Sequence, residues 1–144
     1  MERPIYQVDA FTRQAFGGNP AAVCPLEEWR PEDLMQRIAQ ENNLAETAFF
    51  VLDEEPRRIR WFTPAMEVEL CGHATLASAF VAYTELGFAE EAITFEAKAG
   101  SLSVSRKGEH FELDFPSIPP ETAQATPALL RGLQREPDEV MAAS

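Results

Sequence analysis

The run His73–Gly87, HATLASAFVAYTELG, constrains the fold more than any other feature of this chain. It has the length of a helix and ends at Gly87, a residue suited to the left-handed turn that closes many helices. Ala74, Leu76, Ala77, Ala79, Phe80, Val81, Ala82 and Tyr83 leave almost no polar face around it. A helix that is apolar all round must be covered on nearly every side. In a chain of 144 residues, it belongs at the centre of the fold, and its alanines let strands approach closely.

The covering strands can be read on either side of it. IYQVDAF (Ile5–Phe11) reads as a first strand, and GGNPAAVCPL as a turn followed by a short apolar strand, Ala21–Cys24. Arg30–Asn43 reads as a charged helix. Pro31 suits its first turn, Glu32 and Asp33 its positive end, and Leu34, Met35, Ile38 and Ala39 form its apolar face. ETAFFVL (Glu46–Leu52) is a buried strand. Alternation of apolar and polar residues over Arg57–Thr63, Ile93–Lys98, Ser101–Ser105 and Phe111–Phe115 predicts antiparallel strands with one wet face, turning near Ala99-Gly100 and Lys107-Gly108. The expected fold is α+β: a mostly antiparallel, barrel-like sheet wrapped around one central helix, with the charged helix outside. Phe115–Pro127 carries four prolines and reads as a linker, after which Thr126-Pro127 caps and opens a further helix. Residues 1–117 are expected to form one domain, and 118–144 a linker with the first element of a second, so the chain reads as one half of a larger arrangement.

The net charge is −12, from 24 acidic and 12 basic residues, and such a surface repels phosphate backbones. Glu27-Glu28, Asp53–Glu55 and Glu90-Glu91 read as solvated surface charge. Two cysteines, Cys24 and Cys71, make no disulfide framework. The first residues lack an apolar signal region, and no run approaches the about 18 apolar residues of a membrane span. The expectation is a cytoplasmic, reduced protein that binds neither nucleic acid nor membrane.

Cys71-Gly72-His73, at the head of the apolar helix, is the densest chemical motif. A zinc site needs three or four ligands, and the chain has two His and two Cys in all, so no metal is expected. A Cys71–His73 nucleophile pair is disfavoured because residues two apart rarely hydrogen-bond across a helix start. The spacing suits a helix N-terminus that holds an anion on unpaired first-turn amides, with Gly72 permitting close approach and His73 able to donate or accept. An ordinary strand-to-helix turn fits equally well. Glu46 heads an apolar strand, where neighbouring Ala45, Ala48, Phe49 and Phe50 could desolvate it for acid/base work; an exposed strand-end Glu is the plainer reading. Gly17–Pro20 is first of all a turn that could bring Asn19 to a site.

VDAFT (Val8–Thr12), GGNPAAV (Gly17–Val23), NNLAETAFF (Asn42–Phe50) and RWFTPAMEVELCGHATLA (Arg60–Ala77) occur in the order and near the separations found in the phenazine biosynthesis PhzF-like proteins, which this chain resembles. The resemblance covers nearly the whole chain and the first half of a family member. It implies the diaminopimelate epimerase-like fold, two similar halves each with a central helix, and an active site in the cleft between them. It implies Glu46 as general acid/base moving a proton on a small carboxylate-bearing substrate, with Gly72 and His73, and beside them Cys71 and Asn19, as substrate-binding residues, and with neither metal nor organic cofactor. Family members similar to the phenazine enzyme isomerise a dihydro-hydroxyanthranilate. Two departures stand out. Ala45 replaces a frequent serine, which removes a hydroxyl from the substrate side, and an aspartate and a GS-type turn expected from a second half are missing. Two other readings stay open. One is a Cys71-dependent epimerase or racemase; the other is a catalytically idle half that serves as a binding or assembly module. A homodimer is expected, two copies imitating the missing pseudo-symmetry.

Overall fold

The computed structural model describes residues 3–143. At its centre is α2 (Gly72–Thr84), in which His73, Ala74, Thr75, Ala77, Ser78, Ala79, Val81, Ala82 and Tyr83 are all buried. The two buried hydroxyls keep their hydrogen bonds within the helix: Thr75 donates to the Cys71 carbonyl at 2.6 Å and Ser78 to that of Ala74 at 2.7 Å. The helix stops at Thr84, three residues before the expected glycine. Gly87 still serves its purpose, since its φ of +73° lets the Phe88 amide reach back to the Ala82 carbonyl.

Two sheets cover this helix. The first has the order β1 (Tyr6–Ala10), β2 (Asn19–Leu26), β3 (Glu46–Val51), β4 (Ile59–Phe62) and β5 (Glu67–Val68). All its pairs are antiparallel except β2–β3, which run parallel because α1 (Glu32–Asn42) crosses over between them. The second sheet is the expected meander, β6 (Ala92–Ala97), β7 (Gly100–Lys107) and β8 (His110–Asp114). An Arg58–Glu96 bridge joins the sheets on the β4–β6 side. The wrap is therefore two sheets that do not close into one barrel. β2 is longer than expected, running through Pro20 and Pro25.

The first sheet is buried on both faces. Ala21, Val23, Ala48, Phe50, Ile59 and Trp61 face α2 and meet Ile93, Phe95, Leu102 and Val104 of the second sheet. Cys24, Phe49 and Phe62 face the other way, onto Met35 and Ala39 of α1. This double burial is why ETAFFV is apolar without alternation. Each fully buried large side chain in these layers contributes about 1.5–3 kcal/mol. Phe50 meets Phe95 edge-on at 5.4 Å, and Phe49 meets Phe62 at 5.6 Å, so aromatic pairs lie on both sides of β3.

The cover over α2 is incomplete along one side. Leu76 is only half-buried, and Phe80 is 40% exposed. They line a cavity of ≈ 580 Å³ between β1 and β8, whose rim is bridged by Arg13 at 3.0 Å from His110 Nε2. Beyond β8 the chain is mostly exposed. The stretch expected to be a linker contains β9 (Glu121–Thr122), which pairs antiparallel with β10 (Met141–Ala142). Between them α3 (Pro127–Leu133) has the expected cap, the Thr126 hydroxyl accepting from the Leu129 amide at 3.2 Å, and it buries no residue. No helix among the described residues is long and apolar enough to cross a membrane.

Candidate active site

The mouth of α2 gathers side chains from three places in the sequence. Glu46 is the first residue of β3 and shares its face with Ala48 and Phe50, which turns its side chain toward α2. Cys71 precedes the helix in an extended conformation, φ −149° and ψ 109°. His73 lies in the first turn, 8% exposed. Its Nε2 is 3.3 Å from Glu46 Oε2, and its Nδ1 is 3.5 Å from Cys71 Sγ. One donor atom from each of the three residues lies within 4.8 Å of the other two.

One sequence expectation is corrected by this geometry. The disfavoured Cys71–His73 contact is made, because the extended backbone at Cys71 swings Sγ back over the imidazole. The ligand count took in Cys and His alone; the Glu46 carboxylate lies with Cys71 and His73 in a group of three donor atoms. His110 plays no part there; it sits on the rim of the other opening.

The electrostatics of the mouth follow from the helix. α2 has neither an acidic residue in its first turn nor a side-chain cap, so its positive end is not neutralised by its own sequence. The first intrahelical bond runs from the Thr75 amide to the Cys71 carbonyl at 3.3 Å, and the amides before it have no acceptor within the helix. Glu46 brings a carboxylate to this end from a strand far away in sequence. Burial pushes the Cys71 thiol up to about 11, with the Ala74 amide partly offsetting the rise and Glu46 adding to it. The thiol thus keeps its proton near neutrality and can donate it to Nδ1. In that tautomer the ring proton is on Nε2, facing Glu46. The contact is close but poorly aligned, and Nε2 is buried without a hydrogen-bond partner.

Gly72 also makes room for a neighbouring ring. A Cβ at this position would lie 2.4 Å from Phe115 Cζ, so the glycine makes room for the ring of Phe115. Phe115, half exposed just beyond β8, therefore forms a wall at the mouth of α2. Sequence reasoning missed it, since its alternation with Phe111 and Leu113 marked it only as a strand residue. Asn19 opens β2 on the α2-facing side, two residues before Ala21, which is the Cα partner of Glu46. That places it at the same end of the sheet, roughly 7 Å along the strand, without a hydrogen bond to the other three. The ≈ 580 Å³ opening includes none of Glu46, Cys71 and His73; it lies further along α2.

Comparison with known proteins agrees with this architecture. The PhzC-PhzF family, phenazine biosynthesis-like protein, matches residues 8–136. An uncharacterized isomerase of Pseudomonas aeruginosa is 48% identical over 141 residues, covering 98% of this chain and 54% of that protein. Another uncharacterized isomerase, from Halalkalibacterium halodurans, is 52% identical over 140 residues, covering 95% of this chain and 52% of its own length. The crystal structure of a phenazine biosynthesis protein of the PhzF family from Enterococcus faecalis superposes with a TM-score of 0.87 at 49% identity, covering 96% of this chain and 54% of that one. The chain thus spans about half the length of these relatives. A family match across most of the chain, together with a shared fold at near-half identity, means that this chain belongs to the phenazine biosynthesis-like, PhzC-PhzF, family.

Proposed function

We propose that this chain carries the acid/base half of a cofactor-independent isomerase that shifts a proton on a small carboxylate-bearing substrate. The observation that carries the reading is the placement of Glu46 Oε2, 3.3 Å from a buried His73 Nε2 at the uncapped positive end of α2. Relatives named as isomerases support the reaction class. In the proposed reaction, the amides at Gly72 and His73 hold the substrate carboxylate or a developing oxyanion. Glu46 takes a proton from a carbon next to a carbonyl or enamine, the electron pair moves into the conjugated system, and Glu46 returns a proton to another carbon of the same molecule. No electron or group leaves the substrate, so the cycle balances without a co-reactant. His73, held by Cys71 on one side, orients the carboxylate, while Phe115 walls off solvent and Asn19 lies within reach of the substrate's far end.

The test is deuterium incorporation from solvent into small carboxylates bearing an acidic C–H, measured for the native chain and for Glu46→Gln. Equal incorporation by both proteins would end the case for Glu46. Complete loss of exchange in Cys71→Ala, with Glu46→Gln active, would instead favour a thiol-dependent epimerase.

A second reading, an assembly module, is favoured by the stripe of Leu76 and Phe80 left open on a helix otherwise buried. Two copies pairing over that stripe would run as a dimer in size-exclusion chromatography with light scattering. A monomer at high concentration counts against this reading.

A further inference from the structure

We propose that Glu46, Cys71 and His73 form a binding site for a thiophilic divalent cation of the zinc class, which closes the mouth of α2 and silences it. The cation is an inhibitor in this proposal and plays no part in the proton shift. The site rests on the three side chains alone, so binding stands or falls separately from the isomerase reading; only the inhibition rests on that reading.

The donor set is the first argument. A carboxylate oxygen, a thiol sulfur and an imidazole nitrogen all lie within 4.8 Å of one another. A tetrahedral cation with bonds of about 2.0–2.3 Å holds its donors roughly 3.3–3.7 Å apart. The Glu46–His73 separation of 3.3 Å and the Cys71–His73 separation of 3.5 Å fall in that range. These contacts engage both ring nitrogens, and a cation takes only one. A cation on Nε2 therefore draws Cys71 Sγ round the ring from its place beside Nδ1, and the three donors start within 4.8 Å of one another. Three protein donors with a fourth position open to water or ligand is a common zinc arrangement. Sulfur with imidazole selects zinc-like ions over magnesium or calcium.

The second argument is independent. His73 is more than nine-tenths buried, and its Nε2, aimed at Glu46, has no hydrogen-bond partner. An orphaned buried ring nitrogen is uncommon in a folded protein, and a cation would satisfy it by bonding the Nε2 lone pair once the ring proton has moved to Nδ1, where it faces Cys71 Sγ. The opposing effect is the positive end of α2, equivalent to roughly half an elementary charge. On binding, the Cys71 thiol releases its proton to solvent and the sulfur bonds the metal. The thiolate and the Glu46 carboxylate then set two negative charges against the cation, which outweighs the helix end.

Cobalt(II) serves as the probe because its thiolate complexes absorb light. The 144-residue chain is titrated with cobalt(II) while its near-ultraviolet and visible spectrum is followed, and zinc is then added. The expected result is one cobalt per chain, a thiolate-to-cobalt charge-transfer band, and loss of that band on adding zinc. Cys71→Ser should lose the band and bind at least about tenfold more weakly, the range seen when even an outer partner of a metal ligand is removed. Cys24→Ala, whose thiol lies in the core beneath α1, should keep both the band and the affinity. No charge-transfer band at saturating cobalt, or a band that survives Cys71→Ser, overturns the proposal. Should Cys71→Ser fail to fold, Glu46→Gln decides: weaker binding supports the site, and unchanged affinity overturns it.

Discussion

The two long helices of this protein are built on opposite plans. α1 buries only Met35 and Ala39, sets Glu32 and Asp33 against its positive end, and closes on Asn43 in the left-handed conformation, φ 49°. Its positive end is met by its own acidic residues, and at its other end the Asn43 amide donates to the Ala39 carbonyl at 3.1 Å. α2 buries nine residues and, like α1, has no side-chain cap, but it also has no acidic residue in its first turn. Its mouth is completed by Glu46 from β3 and by the ring of Phe115 from beyond β8. A helix satisfied by its own sequence is scaffold. A helix left open at its positive end, and met there by a carboxylate, has the makings of a site.

The contrast can be broken most sharply at Glu46. Glu46→Gln should lower solvent deuterium exchange into the substrate by about 10²–10⁴-fold, the usual contribution of a positioned acid/base, while leaving the denaturation midpoint nearly unchanged. A large loss of stability instead would make Glu46 a structural residue of the helix mouth.

On the α1 side the corresponding test is one of stability against pH. Burial pushes the Cys24 thiol up to about 12 from its ordinary 9.0. A raised folded-state value means that the folded protein holds this proton more tightly than the unfolded chain. The associated stability is fully present below pH 9 and is lost as pH rises toward 12. By linkage the loss has an upper bound of about 4 kcal/mol. Denaturant midpoints across that range should fall more steeply for the native chain than for Cys24→Ala.

Packing separates the helices next. Ala79→Leu puts extra volume into the fully buried side of α2 and should cost about 1–3 kcal/mol. Gln40→Leu, on the exposed face of α1, should stay within about 0.5 kcal/mol by the same urea titration. Asn43→Ala, at the left-handed end of α1, should cost about 1 kcal/mol, read as a lower thermal midpoint. Gly72→Ala should displace the half-exposed Phe115 ring for about 1 kcal/mol or less, seen as altered Phe115 ring resonances in NMR. An unmoved ring would remove Phe115 from the wall of the site.

Much of this plan was legible before the structure. The apolar circumference of His73–Thr84 announced a central helix, and alternation announced the β6–β7–β8 meander, because burial acts on each residue according to the local period. The parallel step from β2 to β3 and the open stripe at Leu76 and Phe80 were not legible, since both depend on which strand edges meet. Within the site, Glu46 and the Cys71-Gly72-His73 motif stood out by residue type, and the relatives' motifs drew them together. Their mutual distances did not follow from spacing. Nor did the role of Gly72, whose missing side chain is explained by an aromatic ring forty-three positions later in the chain.

By itself, then, the sequence determined the helix that had to be covered, the strands able to cover it, and the residue types at its head, because hydrophobic period and backbone propensity are local quantities. Only the tertiary structure decided that Glu46, Cys71 and His73 share one mouth and that Phe115 closes over it. Contacts between residues distant in sequence follow from strand pairing and packing, and these are settled only once the whole sheet has closed around the helix.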